Sequence, residues 1–174
     1  MAILKKKFFA IETPVLNTSF EIFTTSAEDA VGRRIKIDLT RQLKGKNLEA
    51  IFEIVKKADK IIAQPISAAL VSSYMRRVMR KGVSYVEDSF LCNANDAVIR
   101  IKFFMLTRKK IHRSLRNALR VKAREIIIDF CKDKTTDEIF SAILESDLQK
   151  ELSLKLRKIY PLSFCEIRAI KKEK

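Results

Sequence analysis

The stretch LTRKKIHRSLRNALRVKAREIII, from Leu106 to Ile128, marks the point where strand-like hydrophobic spacing gives way to helical spacing. Apolar residues recur every three or four positions from Ile111 onward, as they do in an amphipathic helix. Eight Lys or Arg residues precede the first acid, Glu125. The stretch therefore predicts a long basic helix that follows a β-rich part of the chain.

The predicted helix separates its cations from its apolar side chains. At 100° per residue, the cations fill a sector of about 80° and the apolar side chains one of about 100° on the far side. The basic sector contains Lys109, Arg113, Arg116, Arg120 and Arg124, and the apolar sector contains Ile111, Leu115, Ala118, Leu119 and Ile126. Lys122 and Ile127 fall in the opposite sectors, so we expect a bend or partial cover on both sides near the helix end.

The chain before this helix predicts strands in two groups. Lys5 to Glu12 is predicted as a strand and Pro14 to Ala30 as an irregular segment rich in Thr and Ser. A meander is then predicted from three apolar runs: Arg33 to Leu39, Leu48 to Val55 and Lys60 to Ile66.

A second strand pair and a short helix complete this part of the prediction. Ser84 to Cys92 and Ala97 to Leu106 predict a hairpin, with the turn signal Asn93 to Asp96 between them. Ser67 to Gly82 has helical spacing, with Ser67 as the expected N-cap and Gly82 as the expected stop.

The charge of the chain is large and unevenly placed. The 174 residues carry a formal charge of +15, with 47% hydrophobic and 33% charged residues. Between Glu125 and Glu151, eight acids face three bases, so this segment is at −5 and the remainder of the chain is at +20. The composition predicts a globular chain, and the charge predicts a polyanionic partner, either nucleic acid or an anionic membrane surface.

A row of charged residues along a helix is usually explained as a solvent-exposed face on which acids and bases form salt bridges with each other. This explanation requires acids, and none lies between Arg108 and Arg124. Phosphates would relieve the resulting repulsion, and the planar guanidinium fork matches phosphate. Arg76, Arg77, Arg80 and Lys81 invite the same interpretation, although stabilisation of a helix C-terminus by the helix dipole would also explain them.

No catalytic or metal-binding pattern stands out in the sequence. The three cysteines (Cys92, Cys131, Cys165) are widely spaced and predict free, mostly buried thiols in a reducing compartment, so neither a metal nor a cofactor is expected. Three glycines exclude a P-loop or a dinucleotide fingerprint. Glu87 and Asp88 would point to opposite faces of a strand, which makes them a poor metal-binding pair.

The remaining polar motifs have non-catalytic explanations. His112 is surrounded by cations and is predicted to contact phosphate. Thr135 with Glu138, and Ser146 with Gln149, have capping-box spacing. We identify no signal peptide, since the apolar run after the basic start is cut off by Glu12, and no run of apolar residues is long enough to span a membrane.

Four landmarks in order resemble a known family: GRRIKIDL, the basic helix after LTRKK with its R..LR..LR pattern, TTDEIFSAIL, and KLRKIYPLSFCEIRAIKK. They resemble the small-subunit ribosomal protein of archaea and the eukaryotic cytosol that is called three-a in the older eukaryotic numbering. The resemblance runs from about Val31 to Lys172. An archaeal-type member is favoured, because the longer basic leader of the eukaryotic members is missing. Asn95-Asp96-Ala97 departs from the expected Asp-Gly turn.

The resemblance implies an α+β fold with a central barrel-like, mostly antiparallel sheet, flanking helices and no catalytic activity. Residues 1–30 would be a basic strand and irregular segment, and residues 31–174 a single RNA-binding domain. Family members are structural constituents of the small subunit in the cytoplasm, on the platform near the mRNA exit. The expected partners are small-subunit rRNA and neighbouring platform proteins, with the mRNA path nearby, no membrane and no homo-oligomer. The acidic segment from Asp129 to Glu151 would face solvent or another protein.

The expected rRNA contacts combine the resemblance with the charge pattern. They are Lys5, Lys6, Lys7, Arg33, Arg34, Arg76, Arg77, Arg80, Lys81, Arg108, Lys109, Lys110, His112, Arg113, Arg116, Arg120 and Arg124. Two alternatives stay open at this point: an RNA-processing or RNA-chaperone protein outside the ribosome, and a basic amphipathic helix lying on an anionic membrane.

Overall fold

The computed structural model describes residues 6–16, 18–43, 45–57 and 60–173, which form eight strands, four α-helices and one 3-10 turn. The strands are β1 (Lys7–Thr13), β2 (Thr18–Thr24), β3 (Arg34–Asp38), β4 (Leu48–Lys57), β5 (Lys60–Leu70), β6 (Tyr85–Asn93), β7 (Val98–Thr107) and β8 (Leu162–Lys172). The helices are α1 (Ser72–Val78), α2 (Arg113–Lys132), α3 (Thr136–Leu144) and α4 (Asp147–Leu156), and the 3-10 turn is Glu28–Ala30.

Strand β5 is the junction of the sheet. It pairs with β4 and β8 in antiparallel fashion and with β1 in parallel fashion, the last through Glu12 opposite Ile62. Pro65 lies inside β5, where a missing N–H would interrupt a regular ladder. The register of β4 shifts between Ile51 and Phe52, the residue that faces Pro65, so a bulge absorbs the break.

The sheet is open and mostly antiparallel. Its order is β2-β1-β5-β8-β7-β6, with β4 also paired to β5 and β3 paired to β4. The predicted α+β class is therefore confirmed, while "barrel-like" describes the sheet only loosely. The predicted meander and hairpin are both present, as β3 to β5 and as β6 with β7.

The core lies between the sheet and the helices, where α2 contacts β6 and α4, and α4 contacts β8. Phe52, Phe103, Phe140, Leu119 and Ile127 are among the largest fully buried side chains. Removing each such side chain from water stabilises the fold by roughly 1.5 to 3 kcal/mol. The strongest anchoring of α2 is therefore along the face that carries Leu119 and Ile127.

The buried face of α2 differs from the predicted one. It consists of Leu119, Ala123, Ile126, Ile127 and Cys131. Ala118 is exposed, so its predicted place in the apolar sector was wrong, and Ile127 is buried because both β6 and α4 cover the helix. Lys122 is exposed and pairs with Glu125. The buried face thus lies beside the arginines rather than opposite to them.

Three other sequence predictions need correction. Ser67 is not a helix N-cap, because β5 continues to Leu70 and α1 begins only at Ser72. The seven-residue helix α1 ends at Val78, before Gly82, which has a φ of 86° in the turn that follows. Residues Pro14 to Ala30 are not wholly irregular, since Thr18–Thr24 forms β2 against β1.

The two predicted capping boxes have opposite outcomes. At Thr135 the box is complete: its side chain accepts from the Glu138 N–H, and the Glu138 carboxylate accepts from the Thr135 N–H at 2.9 Å. Ser146 does stand in the N-cap position of α4, as predicted, but its side chain makes no cap, because its backbone is left-handed (φ 67°) and its hydroxyl accepts a hydrogen bond from Lys46 Nζ at 2.7 Å. Gln149 instead donates to the Ile143 carbonyl.

Candidate nucleic-acid interface

Two hydroxyls, on half-buried Ser84 and buried Thr107, fix the connector between β7 and α2. The Ser84 N–H donates to Thr107 Oγ1 at 3.0 Å, and Ser84 Oγ accepts from the Ile111 N–H at 3.1 Å. Thr107 Oγ1 also donates to the Lys109 carbonyl oxygen at 2.6 Å. These bonds join the turn after α1 to the start of α2, so two basic segments that are distant in sequence lie side by side.

The first cleft lies where these two segments meet. It has a volume of about 630 Å³ and contains Arg77 of α1, Arg80 and Lys81 of the segment that follows α1, and Arg108 of the connector. The Arg77 guanidinium lies 5.7 Å from the centre of the Tyr74 ring and donates to Asn47 Oδ1 at 3.2 Å. The structure therefore brings together two cation clusters that were predicted separately.

The second cleft lies between α2 and β6. It has a volume of about 580 Å³ and is lined by Arg113, Arg116 and Arg120 on the helix and by Tyr85 and Glu87 on the strand. Helical spacing of three and four residues places the arginines on one side. Arg120 donates to Asn117 Oδ1 at 2.7 Å.

One more predicted arginine of this helix lies just beyond the second cleft. Arg124 stacks over the Phe90 ring, with its guanidinium carbon 5.2 Å from the ring centre. A stacked guanidinium keeps its N–H donors at the ring edge, where an outside acceptor can reach them.

The third cleft joins α1 to the outer face of the sheet. It has a volume of about 710 Å³ and contains Arg76 of α1, Lys102 of β7 and Arg168 of β8, with Tyr85 and Glu87 at its border with the second cleft. Glu87 accepts from Arg168 at 3.0 Å. Lys102 and Arg168 were not predicted as site residues, although their alternation with buried neighbours in β7 and β8 is a sequence signal for outward-facing cations.

Like Arg124, the other predicted contact residues that the structure describes do not line the three clefts. Lys6 and Lys7 are exposed at the start of β1, while Lys5 lies outside the described residues. Arg33 is exposed before β3, and Arg34 forms an ion pair with Glu53 at 3.7 Å. Lys109, Lys110 and His112 are exposed on the connector, His112 in the N-cap position of α2.

The predicted contact residues are mostly free of internal counter-charges. Across the described part of the chain there are ten ion pairs, and Arg34 is the one predicted contact residue that takes part in them. Because the predicted contact cations around α1, the connector and the first half of α2 have no counter-charge among the described residues, we expect a positive potential at this surface.

The cysteines and carboxylates form no metal site in the described residues, where no cluster of three potential ligands exists. Cys92 and Cys131 are buried, and a hydrogen bond between the two thiols, with burial, raises the pKa of Cys131. Burial raises the pKa of Cys165 to about 12. Within the described ranges, no helix is long and apolar enough to cross a membrane.

The fold and the clefts together define a basic α+β protein in which cations without an ion-pair partner among the described residues lie around the end of α1, the connector and the first half of α2. The chain belongs to the Ribosomal S3Ae family, whose model matches residues 2–174. This membership confirms the family suggested by the sequence. It also confirms the prediction that the protein is a ribosomal protein and not an enzyme.

Named relatives are similar to this chain over most of its length. The small ribosomal subunit protein eS1 of Nanoarchaeum equitans is 24% identical over 94% of this chain and 87% of that protein. The eS1 protein of Saccharolobus islandicus (strain L.S.2.15 / Lassen #1) is 29% identical over 95% of this chain and 84% of that protein. The eS1 protein of Saccharolobus solfataricus is 26% identical over the same shares.

Proposed function

We propose that this chain is a structural constituent of the small ribosomal subunit in the cytoplasm, where it holds folded rRNA with the three clefts. One observation carries the proposal: the predicted contact residues of α1, the segment after it, the connector and α2 converge, yet none of these residues has an ion-pair partner among the described residues. The similarity to relatives named small ribosomal subunit protein eS1 supports the proposal that the chain assembles into the small ribosomal subunit.

The arrangement suits recognition of RNA shape better than recognition of sequence. Long exposed Arg and Lys side chains around open clefts reach phosphates, which position a protein on a nucleic acid without reading bases. Arginines at positions 113, 116 and 120 repeat along one side of a helix and so follow a backbone. Contacts of this kind hold an already folded rRNA region.

We also propose a place for the protein within the subunit. The platform near the mRNA exit, close to the end of the small-subunit rRNA, is the position that the family resemblance implies. Lys6, Lys7, Arg33 and Arg34 would provide additional rRNA contacts away from the clefts, at the start of β1 and near β3. The acidic segment from Asp129 to Glu151 would then face solvent or a neighbouring platform protein.

The first test replaces Arg113, Arg116 and Arg120 with Gln and measures binding to purified small-subunit rRNA over a series of salt concentrations. If about five phosphates are engaged, the wild type should have a log–log salt slope of roughly −4. The triple variant should lose about three units of that slope and about two to three orders of magnitude in affinity near 0.1 M salt.

A matched control removes the same number of charges from cations that already have partners. Lys122, Lys132 and Lys150 pair with Glu125, Asp129 and Asp147 at 2.8 to 2.9 Å. Changing these lysines to Gln should alter the slope by less than about one unit. In cells, the arginine variant should leave the small-subunit fraction and the lysine variant should remain in it. Equal losses in both variants would contradict the proposal, because net charge alone would then explain binding.

A further inference from the structure

Tyr85 occupies an unusual position for an aromatic residue. It begins β6 at the border of the second and third clefts and is 57% exposed. The alternation of β6 directs Tyr85, Glu87, Ser89 and Leu91 outward, away from the core. The ring therefore stands on the open face of the sheet, where both clefts reach it.

The surroundings of the Tyr85 ring are strongly cationic. Arg113, Arg116 and Arg120 line the cleft on one side, and Arg76, Lys102 and Arg168 line the cleft on the other. Glu87 is the one carboxylate among the lining residues of these two clefts, and it is paired with Arg168. Six cations and one carboxylate give a local charge of about +5, which favours an anionic occupant.

Packing within the protein does not account for the exposed ring. Tyr74, by comparison, is half-buried, has Arg77 over its ring and lies 6.3 Å from the Phe164 ring. Within the described ranges, Tyr85 has no aromatic neighbour, no stacked cation and no side-chain hydrogen bond. Met79, which is 45% exposed, adds apolar surface to the third cleft.

We propose that Tyr85 is a stacking platform for an unpaired RNA nucleotide whose flanking phosphates are held by the cations of the second and third clefts. This proposal rests on the function proposed above and assigns a binding mode to one place on the surface. Unpaired bases expose a π-face that stacks on aromatic side chains, while their backbone retains the charge that the arginines attract. An acidic protein segment would satisfy the charge but would gain no specific benefit from the ring.

The test compares two RNA stems with the same base pairs, one fully paired and one that carries in addition a single bulged 2-aminopurine nucleotide. The wild type should bind the bulged stem about tenfold more tightly, since stacking of one base on an aromatic ring contributes on this order. The 2-aminopurine fluorescence should fall on binding. Tyr85→Phe should keep both effects, because the ring performs the stacking.

Tyr85→Ala should abolish the preference and the fluorescence change while leaving binding to the paired stem the same. Its salt slope should also be unchanged, since stacking releases no counterions. Leu91→Ala is the matched control: Leu91 lies on the same face of the same strand and is 50% exposed, but it does not line either cleft. This control should behave as the wild type in every measurement.

Each contrary outcome shows whether the stacking platform alone or also the proposed function is wrong. Steep salt-dependent binding of both stems by the wild type, without any preference for the bulge, overturns the stacking platform and leaves the proposed function standing. Equal loss of both stems in Tyr85→Ala also overturns it, because the residue would then be structural. If the wild type binds neither stem nor small-subunit rRNA, the proposed function fails together with the platform.

Discussion

The arginine face of α2 and the layer of α3 and α4 differ in how their charges are satisfied. In α3 and α4, three of the four carboxylates have partners within the chain: Glu138 caps the helix start, Asp147 pairs with Lys150 at 2.9 Å and Glu151 pairs with Lys155 at 2.5 Å. On α2, Arg113 and Arg116 have neither an ion pair nor a side-chain hydrogen bond among the described residues.

This difference distinguishes two cases: charges that are neutralised within the folded chain, and charges that have no counter-charge among the described residues. An element whose polar groups are satisfied internally is locally consistent, whereas repulsion among unpaired cations opposes folding slightly. Lys46 shows the first case clearly, since its ammonium lies 2.6 Å from Glu166 Oε1 and 2.7 Å from Ser146 Oγ. The α2 arginines show the second case, on a helix that is firmly anchored by its buried face.

The largest expected effect on stability comes from the anchored face of α2. Leu119 is fully buried, so Leu119→Ala should lower the free energy of unfolding by about 2 to 5 kcal/mol through lost burial and a cavity. Chemical denaturation measures this change. RNA binding by the fraction that remains folded should be the same as in the wild type, because the side chain does not reach the clefts.

Leu115 provides the internal comparison on the same helix. It is only half-buried, so Leu115→Ala should cost less than Leu119→Ala, about 1 kcal/mol. If Leu119→Ala abolished RNA binding while the protein stayed folded, the separation between anchored and binding faces would be wrong.

A smaller effect is expected at the start of α3. Thr135→Ala removes the hydroxyl that accepts from the Glu138 N–H and should destabilise the protein by about 1 kcal/mol. Thermal unfolding measures it, and RNA affinity should not change. Because the box is reciprocal, Thr135→Ala and Glu138→Ala together should cost less than the sum of the two single changes. Strict additivity would show that the two bonds act independently.

The sequence predicted the elements with strong local signals well. Hydrophobic alternation placed β3, β4, β6 and β7 within two residues of their observed bounds, and the Thr135 box located α3. The start of α1 was wrong because residues 67–70 continue a strand whose pairing with β4 and β8 overrides the helical spacing. Strand pairing over this range is not visible in local sequence.

The site was predictable in composition but not in arrangement. The arginines of α2 could be identified from the sequence, because a run of basic residues that contains no acid is a local feature of the chain. The convergence of Arg80, Lys81 and Arg108 depends on the Ser84 and Thr107 hydrogen bonds, which join segments far apart in sequence. Lys102 and Arg168 escaped prediction because they are single cations on separate strands, and only the sheet places them beside α1.

The smallest expected effect on stability is also the one that bears most directly on the comparison of the two regions. Changing Arg113, Arg116 and Arg120 to Gln removes like-charge neighbours at spacings of three and four residues, each of which costs a few tenths of a kcal/mol. Helix propensity changes little between Arg and Gln, and the hydrogen bond from Arg120 to Asn117 is exposed. The free energy of unfolding should therefore stay within about 1 kcal/mol of the wild type, with any shift toward greater stability.

The control variant changes the paired lysines, Lys122, Lys132 and Lys150, to Gln. It should shift stability slightly the other way, because each change breaks an attractive pair. Differential scanning calorimetry at low salt would resolve the two signs. A marked loss of stability in the arginine variant, with normal entry into small subunits, would show that these arginines support the fold and that the unpaired charge has no RNA-binding role.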